Sequence, residues 1–228
     1  MSERSDHFFS FPISMLSGFM ENKTRVLDNI FDFCVYELYK SCGNLQKVKD
    51  FFLVSRWDEK ASMENGLRLS LSINRNVPWT GLSVNLFWEY YSNNKDDFSN
   101  ATLLAFLSIK SIVGTKAYYK TPQIRIFKRM AGMTDAFADK LPDSIAPWCE
   151  RYKFNRIKDA LQESFGVAIY ANHSRGIYLS TKLSLQKLIE AAEKSKLTYR
   201  KSKKKHMTEE AYRQAMEAVY KAAPKLST

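Results

Sequence analysis

The chain is poor in the residues that mark most well-defined chemistries. Of its 228 residues only three are histidine, three cysteine and eight glycine. His7, His173 and His206 are scattered, with no HExxH pair and no carboxylates at metal-ligand spacing, so no metal centre is expected. Cys34, Cys42 and Cys149 are odd in number and lack CxxC spacing. That excludes a disulfide framework and a zinc ribbon, and makes a reducing cytoplasm the natural compartment. Scarce glycine leaves neither GxGxxG nor GxxxxGK[ST], so no dinucleotide or nucleotide cofactor is implied. No apolar run is long enough to span a bilayer, and residues 8–16 are interrupted by Ser10, Pro12 and Ser14, unlike a signal segment. His173 between Tyr170 and Tyr178 is a conceivable strand-transfer grouping, but a turn histidine touching phosphate is the more economical reading. An enzyme is not expected.

What is abundant is positive charge, and it is unevenly placed. The formal net charge is +11, and residues 151–205 hold 14 Lys or Arg against 4 Asp or Glu. Nearly all of the excess therefore lies in one quarter of the chain. Such a local surplus suits a surface that replaces counterions on a polyphosphate. An anionic membrane would attract it too, yet no broad exposed apolar face accompanies it, so no membrane partner is expected. With 45% hydrophobic residues the chain can build a substantial core.

Residues 98–180 read as an ordered module. A first helix is expected from Ser99, whose hydroxyl can cap free N–H groups, to Val113 before Gly114, with Leu103, Leu104, Leu107 and Ile112 on its buried face. Residues 116–120 are aromatic-rich and short, which fits an edge strand. Thr121 and Pro122 then open a second helix that Gly132 closes, with Ile124, Phe127 and Ala131 inward and Arg125, Lys128 and Arg129 elsewhere. A third helix spans residues 151–165 and ends at Gly166. Phe154, Ile157, Leu161 and Phe165 form its apolar stripe, leaving Arg151, Asn155, Arg156, Asp159 and Gln162 off it. Two β-prone runs, residues 167–170 and 177–180, follow as a hairpin.

This order of helix, strand, helix, helix, strand, turn, strand resembles the winged helix-turn-helix superfamily. The resemblance covers about a third of the chain and rests on the order of elements, without a diagnostic motif. It implies that the third helix enters the major groove of double-stranded DNA while the hairpin, the wing, reaches a flanking phosphate or the minor groove. Arg151, Asn155, Arg156 and Gln162 then carry side chains able to read base edges, and Lys153 and Lys158 are point charges for phosphates. Arg125, Lys128 and Arg129 on the second helix, and His173 and Arg175 in the wing, complete the expected contacts. One departure is the long connection at residues 133–150, whose Phe137, Leu141, Ile145 and Trp148 suit packing as a small subdomain.

The N-terminal half is mixed. Residues 8–16 alternate as a strand or arm, residues 25–40 form a strong helix, Asn44 caps another, residues 67–73 alternate strictly as a half-exposed strand, and residues 81–91 suit a helix. Trp79, Phe87, Trp88, Tyr90 and Tyr91 are better read as core and interface packing than as a base-stacking platform. Such an order is similar to a second, degenerate winged helix, and tandem winged helices resemble theta-type plasmid replication initiators. A dimerisation or effector domain is the alternative, which would make the chain a transcriptional regulator and bring in a homodimer.

Beyond the hairpin, Leu183, Leu185, Leu188, Ile189 and Ala192 suggest a helix that packs back on the module. Residues 194–205 follow with 7 basic residues and no acidic ones, among them Arg200, Lys201, Lys203, Lys204 and Lys205. Like-charge repulsion favours an extended phosphate-attracting linker there, and Thr208 is placed to cap a last helix. The expected fold is thus α+β and predominantly helical. It comprises a mixed N-terminal domain over residues 1–95, a winged-helix domain over 98–193, a basic linker over 194–207 and a helix over 208–228. A sequence-specific double-stranded DNA-binding protein is the first reading. A non-catalytic architectural or protein-interaction module with a basic tail that binds nucleic acid without sequence preference is the second.

Overall fold

The computed structural model describes residues 6–134, 140–171 and 176–222. The fold is α+β and mostly helical, with two small antiparallel sheets. Strand β1 (Phe8–Pro12) pairs with β2 (Trp79–Ser83) from Phe8 opposite Ser83 to Pro12 opposite Trp79. Between them run α1 (Lys23–Cys42), α2 (Leu45–Phe52) and α3 (Glu59–Ser72). Helix α1 starts where Asn22 Oδ1 accepts from the Arg25 N–H and stops at the left-handed Gly43; Asn44 caps α2 in the same way through the Lys47 N–H.

Helix α4 (Val84–Ser92) leads into α5 (Asp97–Val113), which is buried on most of its circumference and occupies the centre of the molecule. Ser108 and Thr102 return their hydroxyls to the Leu104 and Phe98 carbonyls at 2.7 and 2.8 Å, so their burial leaves no unmatched donor. Strand β3 (Tyr119–Thr121), α6 (Gln123–Met130), α7 (Arg151–Phe165), β4 (Ala168–Ala171), β5 (Ile177–Ser180) and α8 (Leu185–Ala222) complete the order. The second sheet is ordered β3-β5-β4, so the return strand of the hairpin sits between its partner and the strand that precedes α6. One continuous apolar core runs from Phe9 through α5 to Leu179, and therefore crosses the boundary expected near residue 95. A smaller cluster of Ala168, Tyr178, Leu188 and Ala192 seats the first turns of α8 on the hairpin.

Several local expectations are corrected. Residues 67–72 are helical, within α3, and not a strand; Ile73 is the extended residue that ends the helix. The buried positions of α3 are Ser62 and Gly66, while Leu71 is 79% exposed, so the alternating leucines do not mark a sheet face. A Cβ on Gly66 would stand 2.3 Å from the Asp32 carbonyl, which shows how closely α1 and α3 cross. The helix expected from residue 81 starts three residues later. Gly81 belongs to β2, where a Cβ would lie 2.3 Å from the Phe9 carbonyl, and Ser83 supplies the cap. Helix α5 is capped by Asp96 and not by Ser99, whose N–H donates to Asp96 Oδ1 at 2.8 Å.

Thr121 does not cap α6. It is buried in β3 opposite Ile177, its hydroxyl has no partner among the described residues, and Pro122 takes the cap position. The N-terminal half therefore runs strand, three helices, strand, helix, with its paired strands far apart in sequence.

The basic segment 194–205 is not an extended linker, and no separate helix begins at Thr208. Both lie within α8, a single helix of 38 residues. Between Leu185 and Ala222 there is neither glycine nor proline, and Lys, Arg, Glu and Ala all favour the helix. Propensity outweighs the repulsion among like charges.

Part of the 133–150 connection does pack down. Ile145 is buried, Leu141 is half-buried, and Trp148 meets Phe98 with ring centroids 6.4 Å apart; Phe137 lies outside the described residues. The aromatic group of the N-terminal half is core only in part: Phe87 and Tyr90 are buried and Trp88 donates to the Phe52 carbonyl at 2.7 Å, while Trp79 and Tyr91 are exposed.

Candidate nucleic-acid interface

Helix α7 spans the expected residues, and its apolar stripe of Phe154, Ile157 and Leu161 is buried. Two aromatic contacts fix its orientation. Phe154 meets Phe127 of α6 edge to face at 5.1 Å, and Phe165 stacks on Phe106 of α5 at 4.3 Å. A helix held on one side by such contacts must present the other to solvent. Arg151, Asn155, Arg156 and Gln162 are exposed there, together with Asp159, Glu163 and Tyr152, which is 71% exposed.

That face is mixed in charge. Arg156 lies with its guanidinium 4.6 Å from the Phe98 ring centre and 6.0 Å from that of Tyr152. It thus leans toward the start of α5, where hydrogen bonds from Ser99, with a smaller contribution from Arg156, hold the Asp96 carboxyl below its usual range. Lys153 faces Glu150 at 3.4 Å, and Lys158 is half-buried with its ammonium 5.7 Å from the Phe154 ring. Arg151, Asn155 and Gln162 stand clear of such contacts in the described structure. Carboxylates on the same face are acceptors suited to a cytosine amino group, so their presence narrows the base edges that would fit.

On α6 the expected orientation changes. Ile124 is 46% exposed, whereas Ile126, Phe127 and Met130 are buried and Arg129 is only 5% exposed. Arg129 Nη1 donates to the Met133 carbonyl at 3.1 Å, so this guanidinium faces the chain's own backbone. Arg125 is half-buried, 5.8 Å from the Tyr119 ring centre, and Lys128 is half-buried. The three α6 cations therefore do not form a free surface patch.

The hairpin is anchored at both ends. Ser180 donates to the Ala117 carbonyl at 2.7 Å and accepts from the Lys182 and Leu183 N–H groups, closing the route into α8. Tyr170 of β4 donates to Glu193 of α8 at 3.0 Å, and Glu193 also pairs with Lys196 at 2.9 Å. His173 and Arg175, in the turn, lie outside the described residues. Arg200, Lys201, Lys203, Lys204 and Lys205 fall on the helical backbone of α8, their side chains lying outside the described residues.

Sequence reasoning missed three exposed or sheet-borne groups. Tyr152 precedes the apolar stripe and gives no periodic signal of its own. Lys120, on β3, lies 5.3 Å over the Tyr178 ring, and Lys182, just after β5, donates to the Thr115 carbonyl at 2.7 Å. Strand alternation around Lys120 was the available clue.

Among the described residues no cluster of His, Cys, Asp or Glu could hold a metal ion, and no helix is long and apolar enough to cross a membrane. Comparison with protein-family models, curated proteins and solved structures finds no match to this chain.

Proposed function

We propose that this chain is a double-stranded DNA-binding protein without catalytic activity, acting in the cytoplasm as a transcriptional regulator or as the replication initiator of a plasmid or other mobile element. The observation that carries the reading is the geometry of α7. Its buried stripe is locked by Phe127 and Phe106, so that Arg151, Asn155 and Gln162 point away from the core in a helix that a hairpin follows at once. The β3-β5-β4 order supports it, because a hairpin tied to the strand before α6 moves as one body with the two helices. Base edges would be read by α7, and phosphates would be met by the hairpin and the basic stretch of α8.

A second reading is an interaction module, favoured by a specific observation on α8. Met207 and Tyr212 are 62% and 69% exposed on a stretch of α8 where no described side chain is buried. A partner helix would cover such side chains.

Titration of labelled duplex with the full chain at several potassium chloride concentrations tests the first reading. If about six phosphates are engaged, log affinity falls against log salt with a slope near −5. Undetectable duplex binding at low salt, or affinity indifferent to salt, would refute it.

A further inference from the structure

Arg129 is a buried cation without a carboxylate partner among the described residues. Its one hydrogen bond among the described residues goes to the Met133 carbonyl, and none of the ion pairs among those residues includes it. Four residues earlier, one turn along α6, Arg125 carries a buried Nε that has no acceptor among the described residues. Burial and the nearby Arg125 both push the Arg129 guanidinium below its ordinary value, and among the described residues no negative charge acts on it in return. Like charges one helical turn apart at a half-desolvated site repel each other, and a buried N–H left unbonded adds a further cost.

The space beside them has a definite size. A cavity of about 160 Å³ is lined by Ile124, Met133, Thr134 and three cations, Arg125, Lys128 and Arg129, between α6 and the chain that leaves it. This is well below the volume of typical cofactor pockets, which begin near roughly 300 Å³. It is of a size to admit a tetrahedral oxyanion. Guanidinium forks match phosphate oxygens in pairs, and a dianion between the two arginines would supply the acceptor that Arg125 Nε lacks.

We propose that this cavity is a phosphate-binding site, with Arg125 and Arg129 as its ligands. The phosphate is either a free ion or a backbone phosphate of a bound nucleic acid, and the site stands independently of whether α7 reads bases. Asp135 and Asp139 follow in the sequence and lie outside the described residues, so a carboxylate of the chain itself is the competing occupant.

The test is calorimetric titration of the full chain with inorganic phosphate, ionic strength being held constant with chloride. Saturable binding near one phosphate per chain is expected. Arg125→Gln should weaken it about tenfold or more, the worth of one charge-assisted hydrogen bond. Arg129→Met should abolish it; because Arg129 is buried, its fold is checked by circular dichroism, and Arg125→Gln alone decides the matter if Arg129→Met unfolds. Heats no different from dilution, or binding unchanged in Arg125→Gln, would overturn the proposal. So would phosphate binding that arises only after Asp135→Asn and Asp139→Asn, since the chain would then be filling its own site. Repeating the titration with duplex present separates the sources. Mutual displacement assigns the site to a backbone phosphate, and indifference assigns it to a free ion. Phosphate binding in a protein that binds no duplex would refute the DNA reading and leave the site intact.

Discussion

The Lys110 ammonium sits 3.8 Å from the centre of the Phe8 ring and donates to the Gly81 carbonyl at 2.8 Å, while no carboxylate pairs with it among the described residues. A ring face and one carbonyl replace bulk water for a charge at the junction of α5 with the β1/β2 sheet. Burial alone pushes this group down to about 8.

The sign of the pH effect follows. Between about 8 and the unfolded value near 10.4 the unfolded chain binds the extra proton, so the Lys110 contribution to stability rises with pH across that window and is flat below it. Tyr90 and Tyr91, pushed up to about 12, act oppositely above pH 10. Urea unfolding of the parent and of Lys110→Met at pH 7, 8, 9 and 10 isolates the lysine. The variant is expected to be at least as stable at pH 7, with its advantage shrinking by pH 10. An advantage that grows with pH would mean that the ammonium is stabilised where it lies.

Gly66→Ala should destabilise the chain by about 1–3 kcal/mol, because the new methyl meets the Asp32 carbonyl and the Tyr36 Cβ, 2.5 Å away, at the α1/α3 crossing. The same crossing carries Ser62 and Asn65 donating to the Asp32 carboxylate, so separating the helices also breaks those bonds. Leu71→Ala, on the exposed side of α3, is the control and should stay within about 0.5 kcal/mol of the parent in denaturant midpoint analysis. Equal effects of the two changes would remove close packing as the reason for glycine.

On α7, Asn155→Ala and Arg156→Ala should act on sequence preference, each lost base contact costing about 1–3 kcal/mol at one base pair. Lys158→Ala should weaken good and poor sites alike, a part of its effect arising from its place over Phe154. Binding of each folded variant to a selected site and to scrambled duplex makes the comparison. Identical losses on both duplexes for Asn155 and Arg156 would take α7 out of the role of reader.

Removal of the chain after Lys196 should lower affinity for every duplex by a similar factor and leave the ranking of sites unchanged, since backbone charges carry no base information. Re-ordering of preferred sites on truncation would give α8 a specific role.

Ser202→Pro tests the continuity of α8. Proline inside a helix costs about 3 kcal/mol, so far-UV dichroism should lose helical signal, while the main thermal transition should keep its midpoint because Ser202 is exposed beyond the cluster on the hairpin. A lowered midpoint would show that the distal half of α8 supports the body.

Which of these features could be read in the sequence depends on how local their causes are. Helix α7 was legible to the residue because a three- and four-spaced stripe and a terminal glycine lie within the segment itself. Residues 67–73 misled because the reason for their helix is Gly66 meeting Asp32, a contact across more than thirty positions. Thr121 looked like a cap, but pairing with Ile177 draws it into a sheet. Arg129 looked like a surface cation for the same reason, since its burial depends on where Met133 turns back. In the basic tail, charge pattern and helix propensity point in opposite directions, and propensity prevails.

Helix α8 is finally a lever on a short pivot. Ala192 is the last of its residues found buried among those described, and the thirty that follow extend for about 45 Å at the α-helical rise. Tilting the root by about one degree sweeps the far end through roughly 0.8 Å, given that length. The aim of the arm is therefore set by the seat around Ala168, Tyr178, Leu188 and Ala192 together with the Tyr170–Glu193 hydrogen bond, and any force that shifts the hairpin is magnified at the distal end.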